Sequence, residues 1–253
     1  NIIGDTCRGK YTDECDNNIP NYICDTSNLH LGTCFGLCGD NITAKYSQTL
    51  TKTYRTIKTN SVPNRVYHTD RKADNGNKVC EHYLAIQMIK NPEKSDVFKE
   101  TCLGPIGILN SGELIYNHME NLQDSFHKHT HTLDTCLGHA DSNCFYHIHN
   151  ISAEINCMNY QPCQQIGYIR DGFPLYSHCS GLKSCYKNSM YEPDNYCHLD
   201  EANGYDFTGQ GIVDANGSEI EGYAYVVSHD FPHMPIKYAG KQIFDFINIP
   251  EFD

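Results

Sequence analysis

The sequence predicts a mainly β protein, an internally duplicated β-sandwich-like domain with a small N-terminal cysteine-rich module, and three observations predict it. Short segments rich in Thr, Tyr, Val and Ile, such as TKTYRTIKTN at 51–60 and YLAIQMIKN at 83–91, are punctuated by Asn, Gly and Pro, the mark of strands and turns. No long stretch joins a helical apolar period to capping residues. The chain also resembles itself. Gly107–His118 matches Gly167–His178 at both glycines, the tyrosine and the histidine; Leu133–His139 matches Leu199–Tyr205; and Phe145–His149 falls opposite Gly222–Val226. The order is kept while the offset grows from 60 to 66 to 77 residues, so two related β units are expected, about 106–149 and 166–226.

Taken in order, residues 1–44 form the first element. They hold Cys7, Cys15, Cys24, Cys34 and Cys38 among Gly, Asp and Asn, and because five is odd, at least one must pair beyond residue 44. The remaining cysteines are Cys80, Cys102, Cys136, Cys144, Cys157, Cys163, Cys179, Cys185 and Cys197, which brings the total to an even 14 without a CxxC pair. That usage predicts disulfides throughout and an oxidising, extracellular compartment. Sequons at Asn41, Asn150 and Asn216 predict N-linked glycans. A chain that begins at Asn1 rather than Met and lacks an 18-residue apolar run reads as a mature secreted protein without a membrane span. The net charge of −12 argues against nucleic acid, whose phosphates such a surface repels.

The second element, 45–240, is the duplicated β domain, with turns expected at Asn75-Gly76 and Asn216-Gly217. The third, 241–253, alternates Ile243, Phe244, Phe246, Ile247 and Ile249. Leaving large apolar side chains wet costs about 1.5–3 kcal/mol each, so this extension must fold back on its own domain or add a strand to a neighbouring molecule. The second outcome would make the C-terminal segment a self-association element.

The duplication singles out histidines. In a strand, alternate side chains share a face, which puts His147 and His149 together with Phe145. The second unit has Ala224 and Val226 at those positions, and Tyr205 where the first has His139. A scaffold that manages without these imidazoles frees them for chemistry. With the thiols committed to disulfides, imidazole is the best remaining ligand for copper or zinc, and three neutral histidines suffice to hold either. His139, His147 and His149 are therefore the primary metal candidates, with Asp134 or Asp141 as their orienting partners. The alternating His127, His129 and His131, and His229 with His233 in SHDFPHM, are secondary metal candidates. His118 and His178, present in both units, read as structural.

At these residues a family resemblance emerges. The stretches LDTCLGHADSNCFYHIH, IGYIRDGFPLYSH, GPIGILNSGELIYNH, LDEANGYDF and GYAYVVSHDFPHMP resemble the YHYH-domain proteins, and TNSVPN at 59–64 resembles the Asn-Gly-Ile-Pro-Asn stretch these proteins often carry. The similarity spans about 55–240. It departs from the signature at Ile148, where the family has Tyr, and at Leu137, where Asn is usual before Gly-His. The resemblance implies a secreted or surface protein with a β-rich domain and carries no general reaction.

No Gly-x-Ser-x-Gly elbow, phosphate loop or HExxH motif is present. The sequence thus points to a secreted, disulfide-rich glycoprotein, an extracellular matrix or filament subunit or a binding component, with a histidine metal site. The alternative is a copper or zinc extracellular enzyme, or a metal-sequestering protein, built on the same three histidines.

Overall fold

A computed structural model describes residues 42–65, 79–101, 103–119, 133–134, 136–141, 144–151, 158–187, 190–229 and 231–249. Among these the chain is mainly β, without a helix. Cys7, Cys15, Cys24, Cys34, Cys38, Cys102, Cys157, Asn41, Asn75-Gly76 and the His127, His129, His131 run lie outside the described residues.

The core is an eight-stranded sheet. In chain order its strands are β5 (Pro105–Leu109), β6 (Leu114–Tyr116), β7 (Gly138–Ala140), β8 (Tyr146–Ile148), β9 (Gln165–Ile169), β10 (Pro174–Tyr176), β13 (Gly204–Asp206) and β14 (Tyr223–Val226). In space they run β13-β14-β10-β9-β5-β6-β8-β7, an order in which each half repeats the other outward from the central β5/β9 pair. Each half has an antiparallel hairpin (β5/β6 or β9/β10), then a parallel neighbour (β8 or β14), then an antiparallel edge (β7 or β13). At the centre Ile108 faces Tyr168, flanked by Gly107 and Gly167. A side chain on either glycine would collide with the opposite strand's backbone, so only glycine lets the halves meet.

A second sheet, of four strands, covers one half. It runs β1 (Tyr46–Leu50), β2 (Tyr54–Thr59), β3 (Leu84–Ile89) and β16 (Phe246–Asn248). Its inward residues Ile57, Leu84, Ile86, Met88 and Phe246 pack on Ile108, Leu114, Tyr116, Phe145 and Tyr168 of the larger sheet and its loops. That is a sandwich over the β5–β8 half. The C-terminal segment therefore folds back: β16 pairs antiparallel with β3, Phe246 is buried, and Ile247 faces solvent. Truncating Phe246 to Ala would cost about 3–5 kcal/mol.

Over the other half, the matching face is covered by the chain's own loops, through Leu199, Phe207 and Ile220 packed on Ala224 and Val226. Two small pairs complete the molecule, β11 (Tyr186–Lys187) with β12 (Met190–Tyr191) and β4 (Lys94–Glu100) with β15 (Lys237–Gly240). Disulfides Cys163–Cys179 and Cys185–Cys197 staple this half. Each closes a short loop, a constraint worth roughly 3 kcal/mol. Cys80 and Cys136 are disulfide-bonded too.

Two expectations need correction. Cys144, expected in a disulfide, carries a free, buried thiol. It sits in a loop closed by Asp141 with its backbone in the left-handed region, and its carbonyl accepts the amide of Cys80, whose own sulfur is bonded elsewhere. Burial, followed by the Asp141 charge, pushes this thiol up to about 11. Asn150, expected to carry a glycan, is buried, and a glycan needs an exposed amide. Asn216, in an exposed turn closed by Asp214, has no such obstacle.

Candidate metal centre

The site begins with a loop found in both halves. Asp134 accepts the amides of Cys136 and Gly138 on one carboxylate oxygen, at 2.9 and 3.0 Å, and the Tyr146 hydroxyl on the other, at 2.6 Å. Asp200 does the same for Ala202 and Gly204, and the Tyr223 hydroxyl donates to its carboxylate. Leu137 and Asn203 both take left-handed backbone, with φ of 61° and 57°. A side chain on Gly138 or Gly204 would overlap the tyrosine hydroxyl. The Leu-Asp-x-x-x-Gly pattern is thus a carboxylate-filled turn capped by a tyrosine from the adjacent strand. A cation lies over each tyrosine ring, Arg65 at Tyr146 and Lys94 at Tyr223.

In the first half this turn delivers His139 onto β7, directly opposite His147 on β8. Tyr146 and Ile148 point into the large core cluster. His147 and His149 take the opposite face, beside Tyr116, whose ring stacks on His147 at 3.7 Å and meets His149 edge-on. His139 Nε2 lies 2.9 Å from His147 Nε2, which lies 3.0 Å from His149 Nε2. All three residues are buried, at 4%, 2% and 2% exposure. Among the described residues they are the one group of three side chains gathered closely enough to hold a metal ion.

The outer nitrogens decide what these rings can do. His147 Nδ1 is 3.1 Å from the Phe145 carbonyl and His149 Nδ1 is 2.7 Å from the Asn117 carbonyl. A carbonyl only accepts, so both Nδ1 atoms carry the hydrogen and donate it. In a neutral imidazole this leaves a bare lone pair on Nε2, and the two lone pairs face each other inside the protein. Protonation does not relieve the clash cheaply. Burial first, and then the neighbouring imidazoles, hold His147 well below the usual histidine range and His149 at about 3. A shared cation is the natural occupant of such a point.

The sequence expected Asp134 or Asp141 to orient the imidazoles; backbone carbonyls orient two of them instead. Asp134 holds the turn, and Asp141 accepts the Tyr116 hydroxyl at 3.1 Å, which places it behind the ring that stacks on His147. Tyr116 and the two carbonyls are the members sequence reasoning missed. Tyr116 was visible as one of the residues shared by both units, whereas a carbonyl has no sequence signal. His229 lies against His178 with ring centroids 3.8 Å apart and the planes tilted by 50°, and His233 Nδ1 donates to the Ser228 carbonyl. Neither belongs to a group of three ligands among the described residues.

Residues 91–190 match the sequence pattern of the family described as YHYH protein. The chain carries a YHYH domain over that interval. The matched interval holds β4 to β11 and the whole histidine cluster, so in this YHYH domain the Tyr146-His147-Ile148-His149 stretch supplies the capping tyrosine and two of the three converging imidazoles. Comparison with curated proteins and with solved structures finds no match.

Proposed function

We propose that this YHYH-domain protein is a secreted, disulfide-stapled component of an extracellular structure or binding assembly, and that it holds one copper or zinc ion on His139, His147 and His149. The observation that carries the metal reading is the pair of Nε2 lone pairs facing each other at 3.0 Å, both fixed by Nδ1–H donation to backbone carbonyls. Zinc–nitrogen bonds of about 2.0–2.1 Å in a tetrahedral site would set such nitrogens about 3.3 Å apart, a few tenths wider than the His139–His147 and His147–His149 pairs stand, while all three ligand atoms lie within 4.8 Å of one another. The burial of all three rings favours holding an ion over turning over a substrate, because a catalytic metal keeps an open position.

The disulfides fit an oxidising, extracellular setting, with glycans at Asn41 and Asn216. The repeated strand order and the repeated Asp turns support an internal duplication over about 106–149 and 166–226, flanked by the 1–44 module and the 241–253 extension. For self-association, β16 is an edge strand that has no strand on its outer side among the described residues. Elemental mass spectrometry of the secreted protein tests the metal assignment. One copper or zinc per chain is expected in the parent, and none in His147→Ala/His149→Ala. Equal metal in both would refute it.

A further inference from the structure

Arg55 stands where strand alternation calls for an apolar residue. On β2 the buried positions are Arg55, Ile57 and Thr59, while Tyr54 and Lys58 face water. The guanidinium lies 3.7 Å from the centre of the Tyr168 ring on the eight-stranded sheet, and the residue is only 9% exposed. Its Nε is fully covered and makes no hydrogen bond, and no carboxylate pairs with the side chain among the described residues. An uncompensated buried charge costs several kcal/mol. A desolvated cation–π contact returns about 2 kcal/mol, so the stacking does not account for the arginine's presence.

The surroundings are donors. The Tyr46 and Tyr168 phenols lie close enough for Arg55 to feel both, and Tyr176 stands next to Tyr168. Burial, then the Tyr168 neighbour, pushes the Tyr46 hydroxyl up to about 12, so it keeps its proton and can donate it. The Tyr168 and Tyr176 hydroxyls make no hydrogen bond among the described residues. Tyr46 and Tyr176 are half-buried and form the approach from solvent. Tyr46 donates to Gln48 Oε1 at 3.2 Å and the Asp214 carboxylate acts on Tyr176, but neither acceptor reaches Arg55, whose fork and the Tyr168 hydroxyl are left short of an anion among the described residues.

We propose that Arg55, Tyr46, Tyr168 and Tyr176 form a binding site for a single oxyanion, a carboxylate or a sulfate, beside the junction of the two sheets. The guanidinium would grip it through two parallel N–H bonds, with the phenols completing its shell. The net charge of −12 repels polyanions at long range, which selects a small ligand carrying one anionic group. That group reaches the site either as a free anion or as the acid of a sugar ring, which the tyrosine faces would also accept.

The test titrates the purified glycoprotein with sodium sulfate, sodium acetate, sodium glucuronate and glucose at constant ionic strength, by calorimetry and by thermal melting. Saturable binding of at least one of the three anions is expected, and none of glucose. Glucuronate binding tenfold tighter than acetate assigns an acidic sugar, and equal binding assigns the free anion. Arg55→Met should be at least as stable as the parent without anion, because it removes a buried charge, and should lose at least tenfold in anion affinity. Tyr176→Phe should weaken binding a few-fold with folding unchanged. Absence of saturable binding in the parent, or equal affinity in Arg55→Met, overturns the proposal.

Discussion

The two halves of the eight-stranded sheet share strand order, turn geometry and capping tyrosine, and differ in what fills one face. Over β7 and β8 that face holds His139, His147 and His149; over β13 and β14 the corresponding places hold Tyr205, Ala224 and Val226, packed against Leu199, Phe207 and Ile220. The second half shows the same backbone with that face filled by apolar packing. The first half gives up apolar contacts and pays desolvation for imidazole nitrogens, and such departures from local consistency concentrate where a protein does chemistry.

The largest test of that contrast is to write the second half into the first. His139→Tyr/His147→Ala/His149→Val should lower metal content from one ion per chain to none and leave far-ultraviolet circular dichroism unchanged. Zinc or copper at a thousand times its dissociation constant should stabilise the parent by about 4 kcal/mol and this variant not at all, read from denaturant midpoints. The converse change is next: Ala224→His places an imidazole into packed apolar surroundings and should destabilise by about 3 kcal/mol or more, through overpacking and an unsatisfied polar ring. The shared turns should respond alike, Asp134→Ala and Asp200→Ala each costing about 2 kcal/mol or more, since each strips two amides and a tyrosine hydroxyl of their acceptor.

Acid should separate the halves by the smallest increments. His147 and His149 are held neutral in the fold, so their contribution is complete above about pH 6.5. It is lost below that pH at roughly 1 kcal/mol per pH unit for each histidine, for His149 down to about pH 3. Asp171, in the second half, has its pKa raised to about 6 by burial, which outweighs the Tyr225 hydroxyl and the backbone amides that bond it. Its carboxyl therefore returns roughly 1 kcal/mol per unit as pH falls from 6 towards 4. Metal-free protein should lose stability on acidification through pH 5, and the triple histidine variant should not, as denaturant titrations across pH would report.

Much of this site was legible because strand alternation is a local rule. It placed His147 and His149 on one face, and the internal comparison singled out His139 as the third ring. What escaped depends on contacts distant in sequence. The Asn117 carbonyl becomes a partner of His149 only once β6 and β8 lie side by side, and Arg55 stands out only when β2 is seen against Tyr168. Cysteine parity suggested that Cys144 would be bonded, yet pairing is set by where sulfurs meet in space. The fold class was readable from turn residues and short β-rich runs. The pairing of β16 with β3 was one of two outcomes the apolar tail allowed, and the buried seat for Phe246 accounts for it.

The eight-stranded sheet terminates on both sides in strands of three residues, β7 and β13. Stubs so brief offer little backbone for a stranger's chain to zip onto, a common safeguard against runaway fibres. The smaller sheet is built otherwise, since β1 runs for five residues with Ser47 through Leu50 all exposed on its outer border. Were another chain's strand to pair with this molecule, the longer exposed border would draw it to the covering layer, away from the layer that carries the imidazoles.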